Sequence, residues 1–150
     1  MKKFNIRCYA IIINDRNEIL LSDEFLGKHF FTKFIGGGLE FGEGTKDCVL
    51  REIKEEIGLE ASVDELFYVN DFFQESAFNS SDQIVSFYFT IKTIDYHLIP
   101  IAADYHGTEK KGERFRWLSI DELSVNAVTF PIDKEVVKKI NKKFGNLQAN

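Results

Sequence analysis

Cysteine is scarce. The 150 residues hold two, Cys8 and Cys48, in separate predicted elements and with no CxxC spacing. This argues against a disulfide framework or a zinc knuckle and fits reduced thiols in a cytosolic protein. Excess positive charge is lacking too: 19 Lys and Arg against 24 Asp and Glu give a formal net charge of -5. Bulk charge therefore speaks against a nucleic-acid polymer or an acidic membrane as partner. A small anionic substrate stays open, because a bound cation can reverse the local field. No stretch approaches the ~18 apolar residues of a membrane span. The opening MKKFNIRCYAIIIND carries two lysines, but Asn5 and Arg7 break the apolar run that a signal peptide needs. Repeats, low-complexity tracts and linkers are absent. The expectation is one cytoplasmic domain over residues 1–150.

What the chain does have is a hydrophobic fraction of 44% and an aromatic fraction of 14%, those of a globular protein. FNIRCYAIII and NDRNEILLSDE read as two strands joined by a turn at Asn14, Asp15 and Arg16. FFTKFI reads as a short strand that runs into a glycine cluster. A helix is predicted over Thr45–Ile57, with Thr45 as N-cap and Gly58 as its C-terminal stop. LFYVNDFFQES and DQIVSFYFTIKTID form a hairpin or adjacent strands, and a loop follows around AADYHGTEKKG. RFRWLSI is the last strand and DEL starts a short turn. PIDKEVVKKINKKF is a closing helix with Pro131 in its first turn, and GNLQAN is a frayed tail. This order predicts an α/β fold, a mixed sheet with helices packed on it.

Glycine and glutamate crowd into GGGLEFGEGTKDCVLREIKEEIGL, Gly36 to Leu59. At about 100° per residue Val49, Leu50, Ile53 and Ile57 share one face of the predicted helix, suited to packing on the sheet. Glu52 and Glu56, four apart, lie side by side at the edge of that face. Glu55 sits farther round, where Arg51 serves it as an i, i+4 partner. Like charges so close normally repel, which leaves Glu52 and Glu56 in want of a cation. Hard divalent ions such as Mg2+ or Mn2+ take oxygen ligands and commonly sit between carboxylates and phosphates. Gly36, Gly37 and Gly38 would let main-chain groups face a metal or a phosphate. Gly42 and Gly44 would turn the chain into the helix and present Glu43 beside the cluster. A solvated surface helix is the plain alternative for any charged helix. A P-loop is excluded because GEGTK lacks the G-K-[ST] ending, and an EF-hand because its alternating Asp and Asn are missing.

Gly37, Glu43, Arg51, Glu52, Ile53, Glu55, Glu56, Gly58 and Leu59 fill every defined position of G-x5-E-x7-R-E-U-x-E-E-x-G-U, where U is bulky and aliphatic. The segment thus resembles the Nudix box, and the strands and closing helix around it are similar to the rest of a Nudix domain. The resemblance implies a Nudix-like α/β/α sandwich around a mixed sheet. It implies a metal-dependent hydrolase that cleaves the diphosphate linkage of a nucleoside diphosphate derivative by water attack at phosphorus. Glu52, Glu55 and Glu56 would be metal ligands for Mg2+ or Mn2+, with Gly37 adding its carbonyl oxygen. Arg51 and Glu43 would orient those glutamates. A homodimer is common among similar proteins.

Ile35 stands where family members often carry a proline, and Thr32 where a tryptophan often sits. Lys33, on the strand entering the site, is a candidate phosphate contact or else a solvated lysine. The general base would be Glu113, Glu109 or a glutamate of the box, with Glu113 preferred for its closeness to Trp117; His106 is a weaker candidate. Phe67, Phe72, Phe73, Phe78, Phe87 and Phe89 are assigned mostly to the core, Trp117 to the core or a groove wall, and Cys48 to a buried or half-buried position. The region VNDFFQESAF has Gln74 and Glu75 where relatives specific for ADP-ribose or diadenosine polyphosphates often show a Pro or Tyr. Nucleoside triphosphates and nucleotide sugars stay open as substrates. A ligand-sensing domain without turnover is the alternative in kind, and a structural domain using the acidic helix as a protein contact is the third.

Overall fold

Strands form where β-branched and aromatic residues cluster, and helices where apolar residues recur every three to four positions. The computed structural model describes residues 1–145; the expected frayed tail beyond Gly145 lies outside the described residues. In chain order the elements are β1 (Lys3–Ile11), β2 (Glu18–Leu26), β3 (His29–Lys33), β4 (Ile35–Gly38), α1 (Thr45–Ile57), β5 (Ser62–Val69), β6 (Asp82–Thr93), β7 (His106–Gly107), β8 (Lys111–Ser119) and α2 (Pro131–Phe144). They fall into two compact units: Met1–Ile11 with Ile35–Leu98, and Ile12–Phe34 with the chain from Ile99 onward.

The first unit contains a four-stranded sheet in the order β4-β1-β6-β5. Here β1 runs parallel to β6 and antiparallel to β4, and β5 is antiparallel to β6, so the sheet is mixed as expected. Helix α1 packs on β4 and β1. It buries Cys48, Val49, Ile53 and Ile57. Leu50, expected on that face, is only partly buried, and Cys48 takes its place. The second unit has an antiparallel sheet in the order β3-β2-β8-β7. Its helix α2 starts with Pro131 in the first turn and buries Ile132, Val136, Val137 and Ile140. Among the described residues no helix is long and apolar enough to cross a membrane.

Three expectations need correcting. FFTKFI is not one strand: β3 ends at Lys33 and β4 begins at Ile35, in different sheets. Both Phe34 and Ile35 are fully buried, so an unbroken apolar run disguises a change of sheet. Thr45 is the first helical residue rather than the N-cap; Gly44 holds that place, and its backbone N–H donates to Asp47 Oδ2 at 2.9 Å. The aspartate supplies the N3 half of a capping box, reaching back to the N–H of the N-cap residue. Of the six phenylalanines assigned mostly to the core, Phe89 is buried, Phe67 and Phe87 are half-buried, and Phe72, Phe73 and Phe78 are exposed. The last three belong to the connection between β5 and β6, where strand alternation no longer sorts side chains.

Candidate functional site

Helix α1 is closed at both ends by backbone geometry. Cys48 N–H donates to the Gly44 carbonyl at 3.0 Å, and Gly58, at φ 82°, returns its N–H to Lys54 O at 2.9 Å. A left-handed C-cap of this kind favours glycine. In front of the helix β4 forms a sheet edge built from Ile35 and Gly36–Gly38. Those glycines leave the edge bare. A Cβ added at Gly37 would stand 2.5 Å from Glu52 Oε1, so the missing side chain is what admits the Glu52 carboxylate.

Arg51 is the hub of the cluster. Its Nε donates to Glu43 Oε2 at 2.9 Å and its Nη2 to Glu43 Oε1 at 2.7 Å, a bidentate pair. Nη1 donates to Glu52 Oε1 at 3.0 Å and to Glu55 Oε2 at 3.1 Å, and Nη2 also reaches the Gly38 carbonyl at 2.9 Å. The expected pairing with Glu55 is present, but Arg51 engages Glu52 as well. One guanidinium thus hydrogen-bonds three carboxylates, and a fourth, Glu40, pairs with its Nη1 at 3.7 Å. Glu56 lies on the same helix, partly buried, with its Oε2 shut off from solvent. The oxygens of these carboxylates are the donor type that hard divalent cations prefer. Among the described residues no three His, Cys, Asp or Glu side chains stand already arranged to hold a metal. Arg51 Nη1 takes one oxygen each from Glu52 and Glu55, Oε1 and Oε2 respectively, and leaves the other oxygen of each carboxylate outside that contact.

Hydrogen bonds from Arg51, then the Glu40 backbone N–H, hold the Glu43 carboxyl down at about 2, from an ordinary 4.5. A carboxyl depressed by folding adds stability above its unfolded value and loses it as pH falls through its folded value. Wild type should therefore lose stability between pH 4.5 and about 2 more steeply than Glu43→Gln, measured by thermal melts across that range. Equal slopes would mean that Arg51 does not hold Glu43 in this way.

In the second unit the structure puts Lys33 and Glu113 in one neighbourhood. Lys33, expected to be solvated or to touch a phosphate, is buried; its ammonium pairs with Glu24 at 3.0 Å and donates to the Phe34 carbonyl at 3.1 Å. Glu113 lies within β8, not in the loop before it, directly across from Glu24 on β2 and His106 on β7. Glu109 and His106 are exposed. Burial, followed by the Glu24 charge, pushes the Glu113 carboxyl above its ordinary range, against Lys33, Lys111 and His106. For a raised carboxyl the folded state resists ionisation, so the stability deficit is absent below pH 4.5 and appears as pH rises through the folded value. Glu113→Gln should melt above wild type at pH 7 and level with it at pH 4. A variant that melts lower at pH 7 would mean that the charge is stabilised by its neighbours.

Two features had no signal in the sequence. Cys8 on β1 and Cys48 on α1 are free, fully buried neighbours, and burial raises both thiols. Arg7 on β1 reaches the edge strand beside Glu52, with its Nη1 3.8 Å from where a Cβ at Gly38 would stand. It read only as an interruption of an apolar run.

The mixed sheet, the acidic helix and the glycine edge together define the Nudix class of α/β protein. The NUDIX domain model matches residues 3–140, and the chain belongs to that family. It is similar to the 8-oxo-dGTP diphosphatase of Escherichia coli (strain K12), 28% identical over 141 residues, 91% of this chain and 95% of the relative. A second similarity, 38% over 55 residues, is to the NAD-capped RNA hydrolase NudC of Vibrio atlanticus (strain LGP32), but it spans 37% of this chain and 20% of that one. Among solved structures, the E. coli ORF135 protein superposes with a TM-score of 0.71 at 22% identity, covering 99% of this chain and 96% of its own. A MutT structure from work on Aliivibrio salmonicida and Vibrio cholerae gives a TM-score of 0.67 at 25% identity, covering 95% and 100%. The chain is a Nudix-type pyrophosphohydrolase, an enzyme of nucleotide diphosphate hydrolysis.

Proposed function

We infer that the chain, acting as a single Nudix domain, is a metal-dependent hydrolase that cleaves a nucleoside diphosphate derivative by water attack at phosphorus. The observation that carries this is the gathering of the box carboxylates Glu43, Glu52 and Glu55 about Arg51, with Glu52 against Gly37. Glu52, Glu55 and Glu56 would hold Mg2+ or Mn2+, with the Gly37 carbonyl as a further oxygen. A bound cation of this type polarises the diphosphate and acidifies water. Arg51, fastened to Glu43 through two hydrogen bonds, sets where Glu52 and Glu55 can go. The bare edge at Gly36, Gly37 and Gly38 lets the substrate's phosphates approach backbone. Glu113 is the preferred proton acceptor, since a carboxyl held above its ordinary range suits a general base near neutral pH. Lys33 would reach a phosphate only by leaving Glu24.

The relative that spans most of this chain is an 8-oxo-dGTP diphosphatase, which supports nucleoside triphosphates as the first substrates to try. Product release would be followed over a panel of ordinary and oxidised triphosphates, nucleotide sugars, ADP-ribose and dinucleoside polyphosphates, with Mg2+ and with Mn2+. Metal-dependent turnover of at least one compound is expected. Binding of metal and nucleotide without turnover of any of them would make the protein a sensor.

A further inference from the structure

Strand β1 lies between β4 and β6, so its side chains alternate between the two faces of the sheet. Cys8 points to the α1 face, where it meets Cys48; Arg7 and Tyr9 share the opposite face. On the β4 side their cross-strand partners are Gly38 and Gly36, and on the β6 side Ser86 and Tyr88. No side chain on β4 covers them. Glu52 reaches this edge strand at Gly37 from one face, and Arg7 reaches it at Gly38 from the other. Opposite charges thus flank a ribbon of glycine backbone one residue apart.

Arg7 is held in place without being neutralised. Its Nε donates to the Tyr9 hydroxyl at 2.6 Å, and its guanidinium carbon lies 5.7 Å from the centre of the Tyr9 ring. Tyr9 in turn stacks on Tyr88 at 5.2 Å. Among the described residues no carboxylate pairs with Arg7, whereas Arg51 is committed to Glu43 and Lys33 to Glu24. Burial works against the charge, but Tyr9 and the nearby Glu52 outweigh it and keep Arg7 firmly protonated. A half-buried guanidinium with its terminal N–H groups unengaged matches the geometry of a phosphate and is poorly served by a neutral sugar hydroxyl.

We propose that Arg7, oriented by Tyr9, binds a third phosphate of the substrate on the far side of the Gly36–Gly38 edge from Glu52. This rests on the hydrolase reading above and deepens it: the arginine selects nucleoside triphosphates over derivatives that carry only a diphosphate and a neutral group. Neither Arg7 nor Tyr9 is a metal ligand in that reading.

The test is calorimetric titration of α,β-methylene guanosine triphosphate and α,β-methylene guanosine diphosphate, in Mg2+, into wild type, Arg7→Gln, Arg7→Lys and Tyr9→Phe. Melting curves check folding, and turnover of a nucleoside triphosphate by wild type is measured beside them. Wild type should prefer the triphosphate. Arg7→Gln should reduce that preference about 10- to 100-fold, the size of one charge-assisted hydrogen-bonding group. Arg7→Lys should fall between, since it keeps the charge and loses the fork, and Tyr9→Phe should lose several-fold. If Arg7→Gln does not fold, the other two variants carry the comparison. An equal loss for both analogues, or an unchanged preference, overturns the role of Arg7 while wild-type turnover leaves the hydrolase standing. A wild type that neither binds nor turns over nucleotide removes both.

Discussion

Replacing Glu56 with glutamine is expected to lower turnover about 10³-fold while leaving the protein folded. The two side chains have nearly the same shape, so packing on α1 is kept. What changes is charge: a hard-cation ligand becomes a neutral amide. If a cation supplies several kcal/mol of charge stabilisation in the transition state, and each 1.36 kcal/mol is tenfold in rate, losing a ligand reaches this magnitude. Glu56 also shares its helix with the like-charged Glu52 and Glu55. Removing one like charge relieves repulsion. A second readout separates metal binding from chemistry. Added Mg2+ or Mn2+ should raise the wild-type melting temperature by mass action, equivalent to about 2.7 kcal/mol at 100 times Kd. The variant should lose most of that rise. Full turnover in Glu56→Gln, or a wild type whose melting ignores both cations, would sink the metal-ligand assignment.

The adjacent glycines should fail in opposite ways when changed to alanine. Gly36 sits at φ 154°, where side chains are strained, and a Cβ there would run into the Cys8 carbonyl oxygen and lie 2.7 Å from Tyr9 Cα. Both are backbone atoms of β1, a strand hydrogen-bonded on both sides, and cannot yield cheaply. Gly36→Ala should therefore destabilise the protein by about 3 kcal/mol, a fall in Tm of roughly 10 °C. At Gly37 the obstacle is different: the added Cβ meets the Glu52 carboxyl, its Oε1 at 2.5 Å and Oε2 at 2.7 Å. That is the far end of a flexible side chain, which can move. Gly37→Ala should melt close to wild type, yet displace Glu52 and lower turnover by about 10²-fold, the scale of a misplacement near 1 Å. Thermal melts and steady-state rates on the pair decide it. A stable Gly36→Ala, or a fully active Gly37→Ala, would show that the edge strand is more pliant than these contacts imply.

Why some features were readable in advance follows from the range of the interactions that make them. Helix α1 was legible because its signals are local: apolar spacing, a glycine at each end, and glutamates whose neighbours lie three or four residues away. The wheel placed Arg51 against Glu55, and that contact exists at 3.1 Å. It missed that the same nitrogen also takes Glu52, because the choice depends on where β4 and Glu43 lie around the guanidinium. The end of β3 and the start of β4 were invisible because burial is equal on both sides of the break. Phe72, Phe73 and Phe78 were misassigned because period-two alternation stops where the strand stops.

The chain's own order of residues settled the elements that need only near neighbours: the acidic helix, its glycine brackets, the closing helix behind Pro131, and the carboxylate chemistry those positions can support. Folding settled what depends on residues far apart in the chain. Cys8 meets Cys48, Glu113 faces Glu24, and Arg7 comes to the edge strand beside Glu52 because strand pairing and helix packing join segments tens of residues apart. Local preference acts over one or two turns of helix or a few residues of strand. Sheet register and the burial of apolar surface are collective, so the partners they bring together are written in no single stretch of the chain.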